Sequence, residues 1–287
     1  MTQSPSNLTD SSQTLMPIMA EKTLLSFKAL SFDVYGTLID WESGIYAAAS
    51  PLLSRASPQI DTSKPVFLQR YHTLEAKHQA ETPTLPYSAL LSGVYRDLHE
   101  QLCVGTPLST AEVEAFGNSV PTWPAFPDTK EALARLKNYY KLIVLSNVDK
   151  ASFAGSLGKL GGAGTFDEVC TAEEIGSYKP DLKNFGYMLE KAAGLGVKKD
   201  EVLVTAQSLW HDHVPAEKAG LAGAWIDREG AVMGMEGVEG TIDGKRVGDW
   251  KWMFKTLGEM ADAVEMEAEA FAGEGRFKGK DAATGDE

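Results

Sequence analysis

The feature of this sequence that most limits its fold is an alternation of short apolar strands with helical segments from residue 129 to residue 226. Strands separated by helices are joined by right-handed crossovers, which make the strands parallel and place helices on both faces of the sheet. We therefore predict an α/β fold with a Rossmann-like, doubly wound parallel sheet. The predicted helices are 129–137, 150–160, 181–194 and 213–219, and the predicted strands are 142–147, 168–170, 202–205 and 223–226.

A helical domain interrupts this pattern near its start. Residues 23–32 form an apolar run that predicts a buried strand, but the next segment has apolar side chains at spacings of three and four, for example at Leu91, Val94 and Leu98. That spacing is typical of amphipathic helices and predicts an inserted α-helical cap. The predicted domains are a disordered segment at 1–23, an α/β core at 24–41 and 122–256 with a glycine-rich loop at 229–248, the cap at 42–121, and an acidic helix with a disordered tail at 257–287.

Charge and composition exclude several classes of partner. The chain has 40 acidic and 27 basic side chains, a formal net charge of −13, which repels phosphate backbones and anionic membranes. A small anionic substrate then requires local positive charge at its pocket. No apolar run is long enough to span a membrane and no secretory pattern begins the sequence, so we predict a cytoplasmic protein. Cys103 and Cys170 lack disulfide or zinc spacing, which predicts buried, reduced thiols.

Polar side chains follow the ends of several predicted strands. Asp33 follows the first strand, Ser146 lies at the end of another, and Asp212 comes soon after a third. Lys179 precedes a Pro-Asp pair that starts a helix. Each residue alone is typical of a turn or a helix cap. Because the carboxyl ends of parallel strands meet at one edge of a sheet, where ligands bind, we predict that the four converge on one site.

The order and spacing of four motifs resemble those of the haloacid dehalogenase superfamily, closest to its L-2-haloacid dehalogenase (type II) branch. The resemblance covers roughly residues 28–228. It implies that a carboxylate attacks a substrate carbon or phosphorus and forms a covalent ester or acyl phosphate, which water then hydrolyses. The motifs are Asp33-Val34-Tyr35-Gly36-Thr37-Leu38, Leu145-Ser146-Asn147, Tyr178-Lys179-Pro180-Asp181 and Ser208-Leu209-Trp210-His211-Asp212-His213.

The resemblance assigns a role to each motif. Asp33 would be the nucleophile, and Lys179 would keep it ionised and oriented. Ser146 and Asn147 would hold a substrate carboxylate or the leaving group. Asp212 would order its loop or position the hydrolytic water. The two histidines that flank this last residue are predicted to have surface or supporting roles, because residues two apart seldom converge on a metal.

Position 35 separates two chemistries within the superfamily. Its phosphatases generally carry an Asp there, because an alkoxide leaving group needs a general acid. This chain has Tyr35, as the dehalogenase branch usually does. Halide is a very weak base and leaves without an acid, so Tyr35 favours dehalogenation, although packing beneath the cap is an alternative role.

The resemblance also implies further substrate contacts. Arg70 occupies the place where the family has a cap Arg that reaches the halogen or carboxylate, which suits a guanidinium, but a solvated Arg on a helix face is equally typical. Trp41 would wall the pocket or belong to the apolar core. Phe185 stands where the branch usually has Tyr, and Ser208 begins a fourth motif that departs from the usual pattern at its neighbours. The shape of the substrate is therefore open.

We predict a cofactor-free hydrolase that converts a small (S)-2-haloacid to a 2-hydroxy acid and halide through a covalent aspartyl ester. One alternative is a phosphatase of the same fold, in which Mg²⁺ bridges Asp33, the backbone carbonyl at position 35 and Asp212. A second alternative is a catalytically quiet protein whose cap and acidic tail bind a partner. The resemblance also allows a homodimer through the cap helices.

Overall fold

A parallel sheet lies at the centre of the fold. The computed structural model describes residues 22–103, 105–228, 231–233 and 250–273, with the backbone of 241–242 and 245–246. The strands are β1 (Ala29–Phe32), β2 (Lys141–Ser146), β3 (Glu168–Thr171), β4 (Val202–Ala206), β5 (Ala222–Ile226), β6 (Thr241–Ile242), β7 (Lys245–Arg246) and β8 (Trp250–Phe254). Six of them form one sheet in the order β3-β2-β1-β4-β5-β8, in which every pairing is parallel. The predicted α/β fold with its doubly wound sheet is thereby confirmed.

Helices connect these strands and form the cap. Six helices follow β1 and precede β2, and the others alternate with the later strands or follow β8. They are α1 (Trp41–Ala48), α2 (Ser50–Leu53), α3 (Lys64–Glu81), α4 (Tyr87–Leu102), α5 (Thr110–Gly117), α6 (Thr129–Leu136), α7 (Lys150–Ser156), α8 (Ala172–Ile175), α9 (Leu182–Gly194), α10 (Val214–Lys218) and α11 (Leu257–Gly273). The helices α1 to α5 agree with a helical insertion, while its exact boundaries remain a prediction.

Strand β1 is central because apolar layers cover both of its faces. All four of its residues are buried, which is typical of a parallel strand inside a sheet. Leu30 and Phe32 belong to a large apolar cluster that continues into the cap, whereas Ala29 belongs to a second cluster on the opposite face, together with Phe185 of α9. The end of β1 is therefore held rigidly, and so is the residue that follows it.

Two chain segments that run side by side join the cap to the core. Ile39 and Ala125 form an antiparallel bridge, and the backbone N–H of Asp40 donates to the carbonyl of Pro124 at 2.8 Å. Helix α1 begins at once, because the Asp40 side chain accepts a hydrogen bond from the backbone N–H of Ser43 at 3.0 Å and caps it. The cap thus starts within a few residues of the end of β1.

The structure differs from the prediction after β5. The hairpin β6-β7 lies within the segment predicted as a loop, and β8 adds an unpredicted sixth strand at the edge of the sheet. In β8, half-buried Trp250, Trp252 and Phe254 alternate with exposed side chains, which is the period-two pattern of a strand with one covered face. The disorder predicted near both ends falls largely on 1–21 and 274–287, which lie outside the described residues.

Two predictions from composition can be compared with the structure. Cys103 and Cys170 are free and buried, as predicted. Within the described part of the chain, every helix is too short or too polar to cross a membrane.

Candidate active site

A cavity of about 120 Å³ lies at the carboxyl edge of the sheet, where parallel α/β sheets bind their ligands. Its core side is built by residues that follow β1, β2 and β4. Its cap side is built by α3 and by the start of α4. The residues that line it are Asp33, Tyr35, Trp41, His72, Glu75, Gln79, Tyr87, Trp123, Asn147, Lys179, Gln207, Ser208, Trp210, His211, Asp212 and Met233.

The carboxylate of Asp33 is held at both oxygens. Its Oδ1 accepts a hydrogen bond from Lys179 Nζ at 2.9 Å, and its Oδ2 accepts one from the Thr37 hydroxyl at 2.8 Å. Thr37 can reach back because Gly36 adopts a φ of 107°, a left-handed conformation that favours glycine. The Asp33 side chain remains 10% exposed, so the sequence presents a fixed carboxylate to the cavity.

Lys179 lies between two carboxylates in a buried position. Its Nζ is 2.9 Å from Asp33 Oδ1 and 2.7 Å from Asp212 Oδ1, and its side chain is 1% exposed. Burial acts to lower the pKa of Lys179, but the charges of Asp212 and Asp33 outweigh it and raise that pKa. Burial raises the pKa of Asp212 to about 7, with Lys179 opposing and Asp33 adding to the shift. One ammonium therefore forms ion pairs with two carboxylates, and burial keeps the pKa of Asp212 above its ordinary value despite this ion pair.

Asn147 fixes the backbone of Lys179. Its Oδ1 accepts a hydrogen bond from the Lys179 backbone N–H at 2.7 Å, and its Nδ2 donates to the Lys179 carbonyl at 3.0 Å. Both functions of the amide are thus used within the protein, although Asn147 also lines the cavity. The geometry gives Asn147 a positioning role for the lysine, and its predicted contact with a substrate stays a prediction.

The loop after β4 carries the fourth motif. The Ser208 hydroxyl accepts a hydrogen bond from the backbone N–H of His211 at 3.1 Å and lies 3.2 Å from its Nδ1. Burial, with the charge of Lys179, lowers the pKa of His211 to about 4. His213 is buried, and its Nε2 donates to the carbonyl of Ala206 at 2.9 Å. Of the two predicted roles, surface or supporting, the surface role does not apply to His213, which lies inside the core, and His211 lines the cavity.

Aromatic side chains form much of the remaining wall. Tyr35 packs edge-to-face against Trp123 with ring centroids 5.5 Å apart, and its hydroxyl lies 3.1 Å from Ser156 Oγ. Burial raises the pKa of Tyr35, so its phenol stays protonated. Trp123 approaches Gly44 of α1 so closely that an added Cβ would lie 2.3 Å from the Trp123 ring. Only glycine fits at this contact between the cap and the cavity wall.

The cap presents one face of α3 to the cavity. His72, Glu75 and Gln79 follow one another at spacings of three and four, which places them on one side of the helix. Glu75 Oε1 accepts hydrogen bonds from the hydroxyls of Tyr71 at 3.2 Å and Tyr87 at 2.5 Å. The cap therefore offers an imidazole, a carboxylate and an amide to whatever the cavity binds.

The structure brings most of the predicted site residues together and separates three from them. Arg70 does not line the cavity; its charge contributes instead to the lowered pKa of Asp61, behind hydrogen bonds from Ser63. Ser146 is buried at the end of β2, and Phe185 packs in the apolar cluster on the far face of the sheet. The predicted residues that do line the cavity are Asp33, Tyr35, Trp41, Asn147, Lys179, Ser208 and Asp212.

Several residues of the site were missed by sequence reasoning. Thr37 lay within the first motif, and a hydroxyl one helical turn after a strand-end carboxylate was its signal. Glu75 lay in a recognised helix, but helical spacing cannot decide which polar face meets the core. Met233 lies in the predicted loop and carried no signal; its carbonyl accepts a hydrogen bond from Gln207 Nε2 at 2.8 Å.

Two carboxylates of the cavity, Asp33 and Asp212, could hold a cation, and an ammonium joins them in this structure. Magnesium takes oxygen ligands in near-octahedral geometry, but both oxygens of Asp33 and one of Asp212 already accept hydrogen bonds from Thr37 or Lys179. The predicted absence of a cofactor stays a prediction, which the assay with EDTA or Mg²⁺ described below tests. Across the described ranges, no three His, Cys, Asp or Glu side chains are grouped as metal ligands.

Comparison with known proteins agrees with this architecture. The chain is 25% identical over 245 residues to (S)-2-haloacid dehalogenase H-109 from Pseudomonas putida, covering 82% of this chain and 96% of that one. It is 30% identical over 105 residues to glyceraldehyde 3-phosphate phosphatase from Methanothermobacter thermautotrophicus, covering 36% of this chain and 45% of the relative. Its fold is similar to the structure of L-2-haloacid dehalogenase from Xanthobacter autotrophicus with chloropropionic acid covalently bound, with a TM-score of 0.63, 18% identity, and coverage of 83% and 98%.

A family model ties these likenesses to one group. The model described as haloacid dehalogenase-like hydrolase matches residues 27–220, which include the cap and all four motifs. The chain belongs to the haloacid dehalogenase-like hydrolases.

Proposed function

We propose that this hydrolase breaks the carbon–halogen bond of a small (S)-2-haloacid and releases a 2-hydroxy acid and halide. The observation that carries the proposal is the Asp33 carboxylate, fixed by Lys179 and Thr37 at the edge of an aromatic cavity. The dehalogenase from Pseudomonas putida supports this substrate class, since it aligns with this chain over 96% of its own length.

The first step is a displacement at the substrate carbon. A carboxylate oxygen of Asp33 attacks C2 from the side opposite the halogen, the C–O bond forms, and the halogen leaves with the bonding electron pair. C2 is inverted and an aspartyl ester remains, which divides one difficult displacement into two easier reactions. The covalently bound chloropropionic acid in the Xanthobacter autotrophicus enzyme supports such an intermediate.

The second step is hydrolysis of the ester. Water attacks the ester carbonyl carbon, the bond between that carbon and the substrate oxygen breaks, and Asp33 is regenerated as a carboxylate. Asp212 is the acceptor for the water's proton, because its Oδ2 is buried without a hydrogen-bond partner and its Oδ1 is fixed by Lys179. The overall reaction consumes one water and releases one halide and one proton.

The nature of the leaving group favours halide over alkoxide. A phosphate ester needs a general acid at its departing oxygen, and position 35 provides a phenol that is bound to Ser156. The phosphatase relative covers only part of this chain, so phosphate hydrolysis is an outcome of the test below. The buried Lys179 with its two carboxylates also argues against a quiet site, because such a cluster is costly to bury and has no need to persist without a reaction.

The first experiment measures halide release from (S)- and (R)-2-chloropropionate and from chloroacetate, with EDTA or with Mg²⁺. Hydrolysis of p-nitrophenyl phosphate is measured under the same conditions. We expect halide release from the (S)-acid that is independent of metal and absent in Asp33→Asn. Magnesium-dependent phosphate release without halide would instead establish the phosphatase, and no reaction in either assay would favour the quiet protein.

A second experiment tests the covalent intermediate. In a single turnover in H₂¹⁸O, water that attacks the ester carbonyl places its oxygen in Asp33 and leaves the first product unlabelled. We expect a peptide containing Asp33 to gain 2 Da. Label in the first product alone would mean that water attacks C2 directly and that no ester forms.

A further inference from the structure

The charges that line the cavity are not balanced. Among its described side chains, the carboxylates are Asp33, Glu75 and Asp212, whereas Lys179 is the single Lys or Arg. Lys179 is already paired with two of the carboxylates, at 2.9 and 2.7 Å. Glu75, on the opposite wall, therefore has no Lys or Arg of the cavity beside it, and its titratable neighbour is His72, with Nδ1 3.8 Å from Oε2.

Neighbouring cations do not fill this role. Lys64 and Arg228 line a separate cavity that shares Trp41 and Gln207 with the active site. Lys64 Nζ donates to Ser43 Oγ at 3.1 Å, and Arg228 donates to both carboxylate oxygens of Asp128 at 2.7 and 2.9 Å. Both side chains line the second cavity, and neither lines the active-site cavity.

Glu75 is held ready to accept another hydrogen bond. The hydroxyls of Tyr71 and Tyr87 both donate to its Oε1, at 3.2 and 2.5 Å. Both tyrosines are buried, and burial raises their pKa values well above the usual range, so they stay donors. Its Oε2 is 3.8 Å from His72 Nδ1, which is too far for a hydrogen bond. A carboxylate fixed at one oxygen and open at the other is a preorganised acceptor.

We propose that Glu75 selects substrates with a hydrogen-bond donor, above all an ammonium group, on the side away from the halogen. This proposal rests on the proposed function and names its substrate class as 2-haloacids that carry such a donor. A simple 2-haloacid adds another anion to a cavity that already holds three carboxylates, whereas an amino-substituted one has no net charge. The lining Trp41, Trp123 and Tyr87 also favour a cation, because aromatic rings attract it electrostatically.

The test compares two substrates of equal size. (S)-3-Amino-2-chloropropionate and (S)-2-chlorobutyrate differ only by an ammonium in place of a methyl group. We expect the wild-type kcat/KM to be at least ~10-fold higher for the amino-substituted substrate than for (S)-2-chlorobutyrate, since a hydrogen bond to a charged group contributes about this factor. Glu75→Gln keeps the shape and an acceptor for both tyrosines, and we expect it to bring the ratio close to one.

A matched control lies on the same helix. Glu81 is exposed at the end of α3, and Glu81→Gln should leave the ratio unchanged. Equal rates for both substrates in the wild type, or a ratio that Glu75→Gln does not alter, would overturn the proposal even if halide is released. Loss of the ratio in Glu81→Gln would also overturn it, because the effect would then be one of general charge.

A binding experiment separates this proposal from the proposed function. β-Alanine and butanoate are the halogen-free counterparts of the two substrates, and calorimetry measures their affinities without any turnover. We expect wild type to bind β-alanine at least ~10-fold more tightly and Glu75→Gln to lose the difference. If the wild type binds β-alanine more tightly but releases no halide from either substrate, dehalogenation is refuted and the role of Glu75 stands. If it releases halide but binds both ligands equally, dehalogenation stands and the role of Glu75 is refuted.

Discussion

The core-side wall of the cavity takes its residues from the ends of parallel strands, whereas the cap-side wall takes them from one face of a long helix. On the core side, Asp33, Lys179 and Asp212 are buried and joined by charge-assisted hydrogen bonds of 2.7 and 2.9 Å. On the cap side, Glu75 is held by the hydroxyls of two tyrosines. The charged groups of the core-side wall are paired with one another, whereas the carboxylate of the cap-side wall faces the ligand.

This difference separates reaction from recognition. A carboxylate that attacks carbon must be fixed and ionised, and a buried lysine between strand ends provides both conditions. A group that chooses among substrates must instead retain bonding capacity for the ligand. Substitutions on the core side should therefore affect every substrate, whereas substitutions on the cap side should alter the ratio between substrates.

The largest effect is expected from Asp33→Asn. An amide is too weak a nucleophile to displace halide, so turnover of all substrates should fall at least ~10⁴-fold, as for other residues that act within a catalytic unit. Halide release under saturating substrate measures the loss. Retention of more than a small fraction of activity in the purified, folded variant would show that Asp33 is not the nucleophile.

The next effect is one of stability. Lys179→Met leaves Asp33 and Asp212 buried without their ammonium, which should lower the free energy of unfolding by about 3–5 kcal/mol at pH 8. Urea denaturation measures it, with exposed Lys183→Met as the control. Adding Asp212→Asn should recover part of the loss, and a double variant no more stable than Lys179→Met would count against this pairing.

The pH dependence of ester hydrolysis should follow Asp212. Only its deprotonated form can accept the proton of water, and its pKa is raised to about 7. Esterification removes the negative charge of Asp33, so the pKa of Asp212 in the ester should lie below this value. The hydrolysis rate should rise about tenfold per pH unit below the pKa of the ester form and level off above it. Single-turnover decay of the ester between pH 5.5 and 8.5 measures the profile. A flat profile in the wild type, or an unchanged one in Asp212→Asn, would contradict this role.

The cap side should show a smaller effect that depends on the substrate. Tyr87→Phe removes one donor from Glu75 Oε1 and should reduce the preference for the amino-substituted substrate about threefold to tenfold. The rate with (S)-2-chlorobutyrate should change less. Tyr95→Phe, also on α4, removes a hydrogen bond to Glu112 instead and serves as control. If the rates with both substrates fell equally, Tyr87 would affect every substrate, as the core-side residues are expected to do.

The smallest effect is expected from Arg70→Ala. Because Arg70 does not line the cavity, kcat/KM for 2-haloacids should change by less than about twofold, as for other substitutions away from a site. A fall of more than tenfold would restore the role that the family resemblance implied and would weaken the contrast between the two walls.

The two walls also differ in how far sequence predicts them. Strand ends can be read from sequence, since an apolar run such as β1 ends visibly and topology then fixes where the next residue lies. Asp33, Lys179 and Asp212 were predicted to converge for this reason, and they do. A helix such as α3 has polar residues on several sides, and only packing against the core decides that Glu75 lines the cavity and Arg70 does not.

The sequence analysis missed β8 and Met233 for a similar reason, because their positions depend on contacts with distant residues. β8 pairs with β5 across the hairpin β6-β7, and its alternating pattern of five residues was too short to stand out beside the helix that follows. Met233 reaches the cavity through a hydrogen bond from Gln207 and through Glu42, whose carboxylate accepts the Met233 backbone N–H at 2.8 Å. Such long-range contacts leave no periodic trace in the sequence.

The central position of β1 has a consequence for how the protein is made. Ala29 lies beside Lys141 on one side and Val202 on the other, so β1, the first of the described strands to leave the ribosome, waits for neighbours that are synthesised much later. Such distant pairings slow folding. The lysine that holds Asp33 also arrives after the whole cap. The nascent chain therefore carries Asp33, the proposed nucleophile, from an early stage, but it lacks the lysine that holds this carboxylate until the core closes around it.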